Sequence, residues 1–183
     1  PIYAAPEVVA EMAVTSPKKV AQWKPVFNKN LTGSPVGAYA LESDKVELEG
    51  ESIELVHIGQ GDTDHSTVFH IPSAKTIIAG DLTYQNIHPW TAETDNKSRE
   101  GWINSLNSLA KIGADTIISG HMLPESSMKL KDVIAFNRTY LKDFNHFVSE
   151  AENADEIVEA ILKKYPDLKL QIIPKLGAKA AKP

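Results

Sequence analysis

Residues 59–90 read GQGDTDHSTVFHIPSAKTIIAGDLTYQNIHPW, and the organisation of the chain turns on this stretch. It sets acidic residues and three histidines around two short apolar runs, 67–71 and 76–79. Short apolar runs bounded by Gly, Pro and Asp read as strands. Asp62, Asp64 and His65 sit on a loop before the first run, and Gly80-Asp81 follows the second. The connection 72–75 begins with Pro, which stops a strand. This is the layout of two strands delivering polar groups to one edge of a sheet.

Upstream, residues 46–48 and 53–58 alternate apolar with polar around Gly50, which predicts a hairpin-like strand pair leading into Gly59. Further back, Pro6 suits the first turn of a helix through Val8, Val9, Met12 and Ala13, where its missing N–H is not needed. Ser16-Pro17 reads as the start of a second helix with Val20, Trp23 and Phe27 on one face, short or kinked at Pro25. Residues 28–37 are rich in Asn, Thr, Gly, Ser and Pro, the composition of a surface connection or a lid.

Downstream the character turns helical. Ser98 is placed to cap a helix carrying Trp102, Ile103, Leu106, Leu109 and Ala110 and ending at Gly113. A strand over 116–118 follows, and after it Ser119-Gly120-His121. Leu130, Val133, Ile134, Tyr140, Leu141, Phe144, Phe147 and Val148 recur at three and four, predicting one long amphipathic helix over about 126–151. Asn153 with Glu156 resembles a capping box for a last helix bearing Ile157, Val158, Ile161 and Leu162. Residues 174–183 hold Lys, Ala, Gly and Pro without apolar periodicity and are expected to be a disordered basic tail on a single domain, 1–173.

The bulk properties exclude several classes. A chain of 183 residues with 42% hydrophobic and 23% charged residues suits one globular domain with its own core. With a net charge of −5 and no Lys/Arg cluster before the tail, no nucleic-acid surface is expected. There are no cysteines, so any metal must be held by His and carboxylate. No apolar run approaches the roughly 20 residues of a membrane span, and no signal peptide is evident, so a cytoplasmic protein without a membrane partner is expected.

Asp62, Asp81 and His121 each follow a short apolar run or its flanking glycine, and Gly61, Gly80 and Gly120 let the chain turn the next side chain inward. Three such positions on one sheet edge would converge, and oxygen and imidazole donors suit Zn²⁺, Mn²⁺ or Fe. His57 and His70 alternate with apolar residues and read as wall or core positions. His146, on the long helix, reads as surface.

The run GDTDHSTVFHIPSAKTIIAGDL, together with ISGH at 118–121, resembles motifs of the metallo-β-lactamase superfamily. The 19 residues separating Asp62 from Asp81 match that family's distance between its mid-chain His and its bridging Asp. The resemblance implies an α/β fold, the αββα sandwich, with Asp81 bridging two metals and His121 completing the second site. Asp62 stands where the family has His, leaving either Asp62 or, three residues on, His65 as a ligand. The family's leading HxHxDH motif is absent, and the chain opens where that motif should end. It is therefore expected to be a partial domain, incomplete at its N-terminus, with the missing segment in a longer precursor or a complementing chain.

The resemblance further implies a hydrolase in which one or two zinc ions, or Mn or Fe, activate water against the ester, lactone or amide carbonyl of a small-molecule substrate. Tyr84 and His88, in YQNIHPW, would then reach the substrate side as catalytic residues with Asp81; packing beside Pro89-Trp90 is the other reading. The competing expectation is a non-catalytic remnant that binds a partner or forms a homo-oligomer, because half a sandwich leaves apolar sheet to cover.

Overall fold

The structure is a computed structural model that describes residues 1–31 and 34–183. It holds two compact units, Pro1–Asp44 and Lys45–Pro183.

In the first unit, β1 (Tyr3–Ala4) is joined to α1 (Pro6–Phe27), and β2 (Tyr39–Ala40) lies parallel to β1 with Tyr3 opposite Tyr39. Pro6 occupies the first turn of α1 as expected, but the break expected at Ser16-Pro17 does not occur. The Thr15 hydroxyl donates to the Glu11 carbonyl at 2.9 Å and that of Ser16 to Met12, so side chains supply hydrogen bonds around the N–H that Pro17 lacks. No residue of α1 is buried. The connection 28–37 begins as a 3-10 turn, Asn28–Asn30, and its residues 32 and 33 lie outside the described residues.

The second unit is built on a five-stranded sheet. Its strands are β3 (Lys45–Leu48), β4 (Glu51–Gly59), β5 (Ser66–Ile71), β6 (Thr76–Gln85) and β7 (Thr116–Met122), ordered as in the sequence. Neighbours are antiparallel from β3 to β6, and β7 is parallel to β6. The predicted hairpin is β3–β4: Glu49 and Gly50 both take positive φ, 52° and 85°, the geometry that a two-residue turn needs to match strand twist.

A parallel neighbour demands a crossover. Here α2 (Asn96–Leu109) provides it, capped by Asp95 rather than Ser98; Ser98 is the reciprocal partner in the capping box. Trp102, Leu106 and Leu109 of α2 pack with Ile77, Ala79 and Ile117 of the sheet and with Val133 and Leu141 of α3 (Leu130–Glu150). A second cluster joins Tyr140 and Phe144 of α3 to Ile157 and Ile161 of α4 (Ala154–Lys164) and to Ala178 of α5 (Ile172–Ala181).

α5 corrects the disordered tail expected over 174–183. Its buried residues are Ile173, Pro174, Gly177 and Ala178, mostly small side chains that carry little hydrophobic signal. They are small because the contact is close: a Cβ on Gly177 would lie 2.1 Å from the Thr91 hydroxyl. The chain before α5 is also tied in, since Lys169 N–H donates to Asn86 O at 3.0 Å and His88 N–H donates to Lys169 O at 3.2 Å. Among the described residues, no helix is long and apolar enough to cross a membrane.

Candidate metal edge at the β6–β7 end

The pairing of β6 with β7 is regular from Thr76 opposite Thr116 to Ile78 opposite Ile118, and then it shifts. Gly80 stands opposite Ser119 and Tyr84 opposite His121, so Asp81, Leu82 and Thr83 face Gly120 alone. Such an insertion bulges one strand and re-aims its side chains. Gly80 takes a φ of 52°, which suits its lack of a side chain. Gly120 is needed for space: a Cβ there would fall 2.3 Å from Asp81 Oδ1 and 2.5 Å from the Gly80 carbonyl carbon. The two glycines thus place Asp81 directly over the β7 backbone.

Several buried hydrogen bonds fix the bulge. Trp102 Nε1 donates to Leu82 O at 2.8 Å, and the Thr83 hydroxyl donates to Ser119 Oγ at 2.9 Å. Asn137 of α3 accepts from Tyr84 N–H at 3.0 Å and donates to Tyr84 O at 2.8 Å. Beyond His121, the Ser126 hydroxyl accepts from Leu123 N–H at 2.9 Å and from Asn86 Nδ2 at 3.1 Å.

Asp81 and His121 are brought together. His121 Nε2 is 3.5 Å from Asp81 Oδ1, and each side chain is about half exposed, 47% and 50%. The His121 ring stacks on Tyr84 with centroids 5.4 Å apart and planes inclined by 12°. Tyr84 itself is buried and meets Trp102 edge-on at 6.3 Å, so it forms a floor behind the imidazole instead of projecting toward substrate. Burial pushes its phenol well above the usual tyrosine range, and the carboxylates of Asp62 and Asp81 push it further, so the ring stays neutral.

The loop with Asp62 is folded on itself. Gly61 N–H donates to Thr63 O at 2.8 Å, and Gln60 Nε2 donates to both Gly61 O and Thr63 O at 3.1 Å. Gly61 is small because a Cβ would meet Ser66 Oγ at 2.2 Å. Asp62 is half-buried and lies within electrostatic reach of the Tyr84 hydroxyl, while Asp64 and His65 are exposed. Asp62 and His65 do not join Asp81 and His121 in one cluster: among the described residues, no three His, Asp or Glu side chains are grouped to hold a metal. Of the expected ligands, Asp81 and His121 with either Asp62 or His65, the structure sets Asp81 and His121 side by side.

That pair does fit two corners of a metal site. With arms of about 2.0–2.2 Å, neighbouring donors of a tetrahedral ion stand roughly 3.3–3.6 Å apart. The Oδ1 to Nε2 separation of 3.5 Å matches that edge. One carboxylate oxygen and one imidazole nitrogen are also the donor types that zinc, manganese and iron accept.

The remaining histidines lie elsewhere. His88, expected at the substrate side, is wholly buried: its Nδ1 is 3.0 Å from Tyr140 Oη, and its ring meets Tyr140 edge-on at 5.7 Å. Desolvation lowers it to about 4 from its ordinary 6.5, so it is a neutral core residue. His70 is buried, with Nδ1 3.1 Å from Glu54 Oε2, as its alternation suggests. His57 is exposed rather than a wall residue, and His146 is exposed as expected. Asn137 was missed by sequence reasoning; its signal is a polar residue on the apolar stripe of α3 between Val133, Ile134, Tyr140 and Leu141.

The profile of the metallo-beta-lactamase superfamily matches residues 8–121. Among solved structures, the chain is similar to a metallo-beta-lactamase family protein of Thermus thermophilus, with a TM-score of 0.64 and 15% identity over 98% of this chain and 64% of that one. It is also similar to a beta-lactamase domain protein of Burkholderia ambifaria, with a TM-score of 0.60 and 14% identity over 97% of this chain and 57% of that one. The chain thus spans less than two thirds of either structure's length. A comparison with curated protein sequences finds no match.

Proposed function

Because the chain belongs to the metallo-beta-lactamase superfamily, whose fold generally means a metal-dependent hydrolase, we propose that it contributes the Asp81–His121 half of a hydrolytic metal centre. The observation that carries this reading is the β6 bulge, which sets a carboxylate and an imidazole 3.5 Å apart on an exposed sheet edge. A metal ion held there would act as a Lewis acid and bring the pKa of bound water to about 7, the chemistry of ester, lactone or amide hydrolysis. Zinc, typical of the superfamily, is the first candidate, and manganese and iron accept the same donors. Asp81 would supply the negative charge that offsets such a cation and His121 an imidazole nitrogen, while Tyr84, stacked on the ring and held neutral by burial, keeps the imidazole plane in place. The remaining donors would come from a segment outside the pair, on a longer chain or a complementing one, with a small molecule as substrate.

A second reading is a non-catalytic chain that binds a partner or forms a homo-oligomer. It is favoured by the absence of a three-residue donor group among the described residues and by the exposure of Ile78 and Ile118 on the sheet. Zinc titration of the purified chain separates the two. The hydrolase reading expects saturable binding that Asp81→Ala abolishes while the far-ultraviolet circular dichroism stays unchanged. Equal zinc uptake by wild type and Asp81→Ala refutes the role of Asp81.

A further inference from the structure

The geometry points to Asn137 of α3 as the residue that positions His121, acting through the backbone and ring of Tyr84. The inference rests on His121 being a ligand as proposed above, but its geometry stands on its own. β6 pairs with β5 only at Thr76, Ile77 and Ile78, and Tyr84 lies six residues further on. On the side away from β7, the Tyr84 backbone therefore needs partners that β5 no longer supplies. The Asn137 amide supplies both: Oδ1 accepts from Tyr84 N–H at 3.0 Å, and Nδ2 donates to Tyr84 O at 2.8 Å. Its other amide proton goes to Val133 O at 2.8 Å, one turn back in α3. Asn137 is fully buried, away from bulk water.

Tyr84 carries this placement to the site. It stands opposite His121 in the β6–β7 register, and its ring lies nearly parallel to the imidazole. The other fixings of the bulge bond Leu82 and Thr83, whereas Asn137 holds the residue whose ring touches His121. Partners bonded directly to a metal-ligating histidine orient it, and their loss weakens metal binding by about 10- to 100-fold; Asn137 acts one residue further back, through the Tyr84 ring.

The test uses the whole 183-residue chain without metal, reading the ring-proton resonances of His121 by nuclear magnetic resonance. In the wild type, stacking on Tyr84 shields these protons. Asn137→Ala and the isosteric Asn137→Asp, which keeps the acceptor but loses both donors, are expected to move them downfield and to lower zinc affinity about tenfold. Ile161→Ala weakens the α3–α4 layer without touching Tyr84 and is expected to leave them in place. His121 resonances that stay at their wild-type positions in a folded Asn137 variant overturn the inference, as do shifts of equal size in Ile161→Ala. If neither Asn137 variant folds, hydrogen exchange of the wild-type Asn137 side-chain amide decides: strong protection supports the clamp, and exchange at the rate of a free amide overturns it. A wild type that binds no zinc sinks the proposed metal site but leaves the resonance comparison intact.

Discussion

Two histidines of this chain each lie against a tyrosine ring, and their surroundings give them opposite chemistry. His121 is half exposed, stacked flat on Tyr84, with its Nε2 3.5 Å from a carboxylate. His88 is fully buried, edge-on to Tyr140 and bonded to its hydroxyl, and among the described residues its Nε2 finds no hydrogen-bond partner. A ligand needs an accessible position and a compensating anion, and His121 has both. His88 has none of the charge or access, so the same side chain serves packing instead. His88 follows the end of β6 and His121 lies near the end of β7, so both stand at strand ends; what separates them is which way the backbone turns.

The largest effect is expected where that turn is made possible. Gly120→Ala would place a methyl carbon 2.5 Å from the Gly80 carbonyl carbon and 2.7 Å from its oxygen, as well as 2.3 Å from Asp81 Oδ1. A side chain could swing away, but backbone cannot, so the bulge must lift off β7. We expect a loss of roughly 3 kcal/mol in urea denaturation, at the upper end of ordinary overpacking. Zinc binding should vanish with it, because Asp81 and His121 would separate. Gly37→Ala, where a Cβ meets nothing within 4 Å, should change stability by less than about 0.5 kcal/mol. Equal effects of the two substitutions would show that the close approach at Gly120 is not what holds the edge.

The buried histidine should show itself through pH. Burial holds His88 at about 4 when folded, against an ordinary 6.5. Between these values the unfolded chain takes up the proton and the folded chain does not, so stability is complete above pH 6.5 and falls as the pH drops toward 4. The full difference is worth about 3 kcal/mol, of which about 2 kcal/mol is gone at pH 5. His88→Asn, whose amide can sit where Nδ1 does and bond Tyr140, should lose most of this dependence. Urea midpoints at pH 8 and pH 5 test it; the same drop in both proteins would mean that other groups carry the acid sensitivity.

These two histidines also mark how far the sequence could be read. The strands, the hairpin at Glu49-Gly50, the crossover helix and the Asp81–His121 pair were legible because each rests on local signals: alternation, turn residues, and polar residues next to glycine at a strand end. The burial of His88 was legible only as one of two readings, because what decides it is Tyr140 in α3, 52 residues away. α5 was hidden for a related reason: Gly177 and Ala178 are buried by being small, and composition alone makes them look like a tail. The reason for each glycine also had to come from the structure. Gly80 is needed for its φ, while Gly61 and Gly120 are needed for space, and their shared Gly-Asp or Gly-His spelling does not tell these apart.

The smallest effect concerns the hydrogen bond beneath the bulge. The Thr83 hydroxyl donates to Ser119 Oγ at 2.9 Å, and both residues are buried, two positions before His121 on β7 in the case of Ser119. Ser119→Ala removes the acceptor and strands a buried hydroxyl, which costs about 1–2 kcal/mol. Thr83→Val removes the other partner with little change in shape. If the bond itself holds β6 against β7, the double variant should be destabilised by about 1 kcal/mol less than the sum of the singles, since neither polar group is then left alone. Zinc affinity should change little in the double variant, because Gly120 and Asn137 still set Asp81 and His121. Strict additivity of the two losses would mean that the hydroxyls are satisfied separately, and that the backbone contact at Gly120 alone keeps the edge in register.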